Sequence, residues 1–175
     1  MERMSAVGGV SEQDWRLWRE FVTMHRHLAR ELDRQLQRDA GISQADFSVL
    51  AVLAEAPESR LRTGELAELL AWEKSRVSHQ VARMEARGLV DRTECETDGR
   101  GTWVGLTDDG LRVLHDAVPE HAATIRRLFF DQLDRHELDV LGELSRRVLD
   151  AMSPEACAIA DDKGMRAARS KAPAA

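Results

Sequence analysis

The chain has only two cysteines, Cys95 and Cys157, in 175 residues. Two thiols do not build a disulfide framework, and their spacing fits no zinc motif, so the fold rests on an ordinary hydrophobic core. A chain of this length can bury one as a single domain. No run approaches the roughly 20 apolar residues that span a bilayer. Residues 1–10 contain no apolar stretch of the signal-peptide kind and read as a flexible N-terminus, so a cytoplasmic location is expected. Nothing repeats at solenoid periods. No Ser-His-Asp order, metal cluster or phosphate-cradling loop stands out, which leaves an enzyme the least supported class and gives no reason to expect a cofactor. His25 and His27 lie two apart and point to different sides of a helix, while Pro119 stands between His115 and His121. Neither pair makes a plausible metal site. Cys95 sits between Glu94 and Glu96, whose charge discourages a thiolate.

What the chain does have is charge, unevenly spread. The net charge is −6. Residues 107–162 carry thirteen acids against six arginines, a net of −7, whereas Lys74, Arg76, Arg83 and Arg87 face only Glu85, a local net of +3. Local charge, rather than the total, decides where a phosphate backbone can dock.

Helical signals organise most of the sequence. Ser11 with Glu12 and Asp14 marks a helix start, followed by a stripe of Trp15, Trp18, Val22, Leu28, Leu32 and Leu36. Gly41 is placed as a left-handed stop, with Ile42 folding back on Leu36. Ser43 caps a second helix with Phe47, Val49, Leu50 and Leu53 on its apolar face, and Pro57 ends it. Arg60-Leu61-Arg62 reads as a short strand, with Thr63 the cap of a third helix. Val77, Val81 and Met84 form the buried stripe of a fourth helix, with Ser75, Arg76, His79, Gln80 and Arg83 assigned to its other side. Gly88 falls at the stop of this helix, where Leu89 can pack on Met84. Thr107 caps a fifth helix striped by Leu111, Leu114, Val118, Ala122, Ile125 and Phe129, in which Pro119 is expected to cause a kink near Val118. Asp134 and Glu137 form a capping box for a sixth helix, with Leu138, Leu141, Leu144, Val148 and Met152 as its stripe. Residues 153–175 read as a mostly disordered basic tail.

The stretch from Leu66 to Thr107 runs helix, turn, helix, glycine stop, strand, glycine-rich charged loop and strand. A helix that can enter a major groove, with a basic hairpin beside it, is a DNA-reading arrangement. Arg100, between Gly99 and Gly101, is placed at a hairpin tip that can project one long cation into a narrow minor groove. The fold class is therefore mainly α with a small β-wing, a winged helix-turn-helix lobe over residues 43–106 inside one domain of residues 11–152. The helices of 11–40 and 107–152 have apolar stripes that so small a core cannot easily cover, which suggests a second copy as partner.

These residues resemble the MarR family of bacterial transcriptional regulators. The most specific likeness is the wing from Asp98 to Gly110, with its Asp-x-Arg followed by Leu106-Thr107 and a glycine three residues on. The second is Ser75-Arg76-Val77-Ser78 with Met84-Glu85-Ala86-Arg87-Gly88-Leu89-Val90. The resemblance implies a homodimer built on the first, fifth and sixth helices. It implies binding of double-stranded DNA at a pseudo-palindromic operator, and repression relieved by a small effector, aromatic or phenolic in kind. By position, Ser75, Arg76, Ser78 and His79 would face bases and phosphates, with Lys74 and Arg83 on the same cationic helix. Arg100 would enter the minor groove, braced by Asp98. Gly99 stands where the family often has a second basic residue.

Trp15, Trp18, Phe21, His25 and Phe47 are candidates for an effector pocket between dimer base and reading lobe, against the usual reading of an aromatic stripe at helical spacing as core and dimer interface. Trp72 and Trp103 are assigned to packing of the turn and the wing. The alternative to a DNA-binding repressor is a winged-helix protein-interaction module that does not read DNA, which would suit the overall acidity.

Overall fold

The computed structural model describes residues 9–94 and 102–152. Its helices are α1 (Glu12–Ala40), α2 (Gln44–Glu55), α3 (Thr63–Leu69), α4 (Lys74–Glu85), α5 (Asp108–Leu128) and α6 (Arg135–Met152), and its strands are β1 (Arg60–Arg62), β2 (Val90–Glu94) and β3 (Thr102–Leu106). The strands form one antiparallel sheet in the order β1-β3-β2, with Leu61 opposite Val104 and Val90 opposite Leu106. Cys95, the wing residues Asp98, Gly99, Arg100 and Gly101, Cys157 and the basic tail lie outside the described residues.

The helix ends follow the sequence signals closely. Ser11 and Asp14 form a reciprocal capping box on α1, and Ser43 and Asp46 do the same on α2. Gly41 stops α1 with a φ of 65°, where the next residue, Ile42, turns inward and is buried. At the end of α4, Gly88 takes a φ of 71°, its N–H bonding Glu85 O at 2.9 Å while the Leu89 N–H reaches Met84 O at 3.0 Å. This is the two-bond Schellman stop, and Leu89 is carried into the core beside Met84. The box on α6 is present, with Asp134 N–H donating to Glu137 and Glu137 N–H to Asp134, both at 2.8 Å.

One local expectation changes. Thr63 is the first residue of α3 rather than its cap, which is Arg62; the Thr63 hydroxyl instead donates to Thr102 O at 3.1 Å, joining α3 to β3. Pro119 lies inside α5, which is assigned helical from Asp108 to Leu128. The residues around it, His115 and Val118 to Glu120, are exposed, so the carbonyl left without a helical partner lies on a wet face.

The core lies in the lobe. Leu36 and Ile42 meet Val49, Leu50 and Leu53 of α2, Leu66 of α3, Val77, Val81 and Met84 of α4, and Val104 of the sheet. Leu114 and Ala117 extend it onto α5. Elsewhere the apolar stripes are open. Trp18 on α1 is 56% exposed, Leu111 and Val118 on α5 are exposed, and α6 buries no residue, with Met152 at 74%. Among the described residues no helix is long and apolar enough to cross a membrane.

Candidate DNA interface

Helix α3 ends in a tight turn at Ala71, whose φ of 51° is left-handed. The Trp72 N–H then returns to Ala67 O at 2.9 Å, which fixes the angle at which α4 departs. Glu73 precedes α4 without a side-chain cap, so the helix presents its positive end outward, the end that favours phosphate. Lys74, Ser75, Arg76, Ser78, His79 and Arg83 are all exposed on α4, while Val77, Val81 and Met84 face the core. The structure thus brings these six candidates onto one helix. The Ser78 hydroxyl donates back to Lys74 O at 3.0 Å. The Arg76 guanidinium stacks on the Trp72 ring, 4.0 Å from its centroid. Arg100 and its proposed brace Asp98 fall outside the described residues.

Gln80 is a correction. Its sequence position assigns it to the cationic face, yet it is 3% exposed and its amide donates to Asp46 Oδ1 at 2.5 Å. Position 80 is three residues after Val77 and four before Met84, so its spacing belongs to the buried stripe. Its polarity hid that, and Asp46 supplies the partner that a buried amide requires.

Asp46 anchors α4 from behind the cationic face, and nothing in the sequence signals that. It is 4% exposed and accepts from the Ser43 N–H at 2.8 Å, the Ser43 hydroxyl at 2.9 Å, Gln80, and Arg87 Nη1 at 2.8 Å. Arg87 Nη2 donates in turn to Gly41 O at 2.8 Å, and Arg83 donates to Gln80 Oε1. One carboxylate therefore joins the start of α2 to the middle of α4 through Gln80 and, through Arg87 just past the end of α4, to the exit from α1. Only the Ser43 cap is legible in the sequence; the partners of Asp46 that lie 34 and 41 residues away are not.

Beside α4, the wing base is basic and aromatic. The Arg60 and Arg62 guanidinium groups lie 5.1 and 5.3 Å from the Trp103 ring centroid. Arg92 pairs with Glu85, which ties β2 to α4. Thr107 closes the joint: its hydroxyl donates to Gly88 O at 2.7 Å and accepts the Gly110 N–H at 3.0 Å. A Cβ on Gly110 would overlap the Leu89 carbonyl oxygen and sit 2.9 Å from Leu106 Cδ1. The Leu-Thr-x-x-Gly spacing is thus the geometry that lets α5 start against the end of α4.

The five effector candidates do not converge within one chain. Trp15, Trp18, Phe21 and His25 are exposed along the outer part of α1, with Trp18 and Phe21 stacked at 5.9 Å. Phe47 is half-buried against the His121 ring of α5 at 4.5 Å, and His121 is bonded to Gln35 of α1. At about 1.5 Å per helical residue, Trp15 lies roughly 30 Å along α1 from Gln35. The junction at Phe47 is also polar. His121 is 5% exposed, its Nδ1 is 2.9 Å from Gln35 Oε1, and the Gln35 amide donates to Asp39 at 3.2 Å. Since Gln35 donates to Asp39, its oxygen faces His121, which must donate from Nδ1. Burial holds the His121 pKa below its usual 6.5. An open groove of about 620 Å³ lies elsewhere, along the α3–α4 turn from Ala67 to Ser75. Among the described residues no group of three or more His, Cys, Asp or Glu is arranged to hold a metal ion.

The MarR family model matches residues 40–101, from the end of α1 through the wing loop. Sco3205 from Streptomyces coelicolor, a MarR family transcriptional regulator solved in complex with DNA, is similar at 39% identity and a TM-score of 0.79, over 83% of this chain and 91% of its own. AbsC, a MarR family transcriptional regulator from the same organism, is similar at 32% identity and a TM-score of 0.77, over 83% of this chain and 97% of its own. The PcaV transcriptional regulator, also from Streptomyces coelicolor and solved with its natural ligand, is similar at 27% identity and a TM-score of 0.66, over 86% of this chain and 100% of its own.

Proposed function

This chain belongs to the MarR family of transcriptional regulators, and from that premise we propose that it is a homodimeric, cytoplasmic repressor of a pseudo-palindromic operator, released by a small effector. The observation that carries this reading is the exposed cationic face of α4, held on a buried stripe and on Asp46, in a chain whose α1, α5 and α6 leave apolar faces open. A second copy would cover those faces and place two reading helices about one turn of duplex apart, roughly 34 Å. Phosphate contacts from Lys74, Ser75 and the α4 N-terminus would supply salt-dependent affinity, and Arg76, Ser78, His79 and Arg83 would meet base edges or the flanking backbone. Arg100, braced by Asp98, would reach the minor groove beside each half-site.

Release follows from the same geometry. An effector that binds more tightly to a dimer with the wrong separation of lobes shifts the population away from the DNA-competent form. The reading places that effector, a small aromatic or phenolic molecule, between the dimer base and the lobe. Trp15, Trp18, Phe21 and His25 of one protomer would then approach the Phe47 junction of its partner. The likeness to PcaV, which was solved with a ligand, supports effector control of this kind.

The test is selection from fragmented genomic DNA with the purified full chain, alongside its mass in solution. Enrichment of short two-fold sequences by a dimer is the expected result. A monomer, or a protein that enriches no sequence, overturns the proposal.

A further inference from the structure

Trp72 stands just before α4 and touches the one cation on the reading face that has a stacked partner. We infer that Trp72 is a positioning residue for DNA recognition: its indole holds the Arg76 guanidinium in the pose that reads a guanine. The inference rests on the proposal that α4 reads DNA, and adds which side chain sets the specificity of that helix and how.

Three observations converge on it. First, the Trp72 backbone is itself held, because Ala71 turns left-handed and the Trp72 N–H closes on Ala67 O at 2.9 Å. The ring is therefore a platform and not a mobile surface group; it is half-buried and packs against the core cluster. Second, Arg76 lies over this ring at 4.0 Å, well inside the range of a cation–π contact. Third, stacking uses the flat face of the guanidinium and leaves its N–H edge open. No carboxylate or carbonyl among the described residues takes up that edge. Arg83, by contrast, spends a donor on Gln80, and Arg87 spends two on Asp46 and Gly41.

An arginine in this state matches guanine, whose O6 and N7 accept a bidentate pair of parallel N–H groups in the major groove. A free arginine loses rotamer freedom on binding, and one already stacked loses less. By that reasoning the platform strengthens specific binding by about threefold at each half-site, or about tenfold for a dimer that uses two. It adds nothing to nonspecific phosphate contact, which needs charge and no fixed plane.

A double-mutant cycle on the full chain, read by competitive selection from a randomised duplex library, tests this. Arg76→Ala is expected to relax one G·C position in each half-site. Trp72→Leu is expected to relax the same position, to weaken the selected site about tenfold, and to leave nonspecific binding unchanged. In the Arg76→Ala background, Trp72→Leu should cost nothing further. If Trp72→Leu does not fold, Trp72→Phe keeps a smaller ring and should show a smaller loss that again vanishes without Arg76. An equal loss in both backgrounds, or a uniform loss across the site, makes Trp72 a packing residue only and overturns the inference. A wild-type protein that selects no sequence would overturn the DNA-reading proposal along with it, so the two failures are told apart by the wild type alone.

Discussion

The Gln80 amide of α4 donates to the Asp46 carboxylate at the start of α2, 2.5 Å away and 34 residues earlier in the chain. Both groups are buried, so each needs the other to avoid an unsatisfied polar atom. The pair also links α4 to α2 by a directional contact, which the apolar contacts at Val77, Val81 and Met84 are not. The cationic face of α4 is the exposed complement of its buried stripe, and the Gln80–Asp46 bond adds one directional polar contact to that stripe.

Asp46→Ala removes four accepting contacts at once. One arm of the capping box on α2 is lost, the Ser43 N–H bond to the carboxylate, while the Ser43 hydroxyl still caps the Asp46 N–H. Gln80 and Arg87 lose their acceptor, and Arg87 keeps 42% of its side chain in water, so its share is smaller than that of a buried pair. The expected total is about 2–3 kcal/mol, measured by urea denaturation as a lower midpoint with an unchanged slope. A variant within about 0.5 kcal/mol of wild type would show that the network does not hold the lobe together.

Gly110→Ala tests the joint between α4, the wing and α5. The added methyl would collide with the Leu89 carbonyl, which is backbone fixed by the Schellman stop and cannot rotate away. The start of α5 must shift, at an expected cost of about 1–3 kcal/mol despite the better helix propensity of alanine. Gly142 makes a control on α6, since a Cβ there meets nothing closer than Arg146 Nη1 at 3.7 Å. Thermal melts should rank Gly110→Ala well below Gly142→Ala, and the reverse order refutes the close approach.

His121 makes stability fall in mild acid. Its folded pKa lies below 6.5 because burial disfavours the imidazolium, so between the two values the unfolded chain carries a proton that the native state does not. Stability therefore rises with pH across that interval. The contribution is complete above the unfolded value of 6.5 and is lost as the pH falls from there through the folded value. His121→Gln keeps a polar partner for Gln35 and removes the titration. Wild type should lose more stability than this variant between about pH 7.5 and about pH 5, and equal losses would remove His121 as the cause.

Much of the fold was legible because its signals are local. Ser11, Gly41, Ser43, Gly88, Thr107 and Asp134 each act on a backbone group within a few residues, and each does so in the structure. The cationic candidates on α4 were legible for the same reason, as the exposed complement of an apolar stripe. What escaped were polar residues satisfied at long range. Gln80 looks like a surface residue until Asp46 is brought across from α2, and His121 looks like one of several histidines until Gln35 and Phe47 close around it. A hydrophobic period marks where a side chain points; it says nothing about which buried polar group will find a partner there. Thr63 shows the converse, a residue of the right type for a cap whose hydroxyl is taken by β3.

Arg100→Ala and Lys74→Ala separate reading from holding. A cation on a phosphate releases a counterion, so its removal lowers the slope of log affinity against log salt by about 0.9 per contact. Lys74, a point charge at the first turn of α4, is expected to behave this way, with a drop of about 2 for a dimer and no change in the preferred sequence. Arg100 is proposed to enter a narrow minor groove, where potential and width carry sequence information. Its removal should weaken operator binding while the dimer stays intact, and should relax the preference for A·T pairs beside each half-site. Gel shifts over a salt series, with selected sites as probes, measure both. An Arg100→Ala protein with unchanged operator affinity at moderate salt would remove the wing arginine from the account and leave recognition to α4 alone.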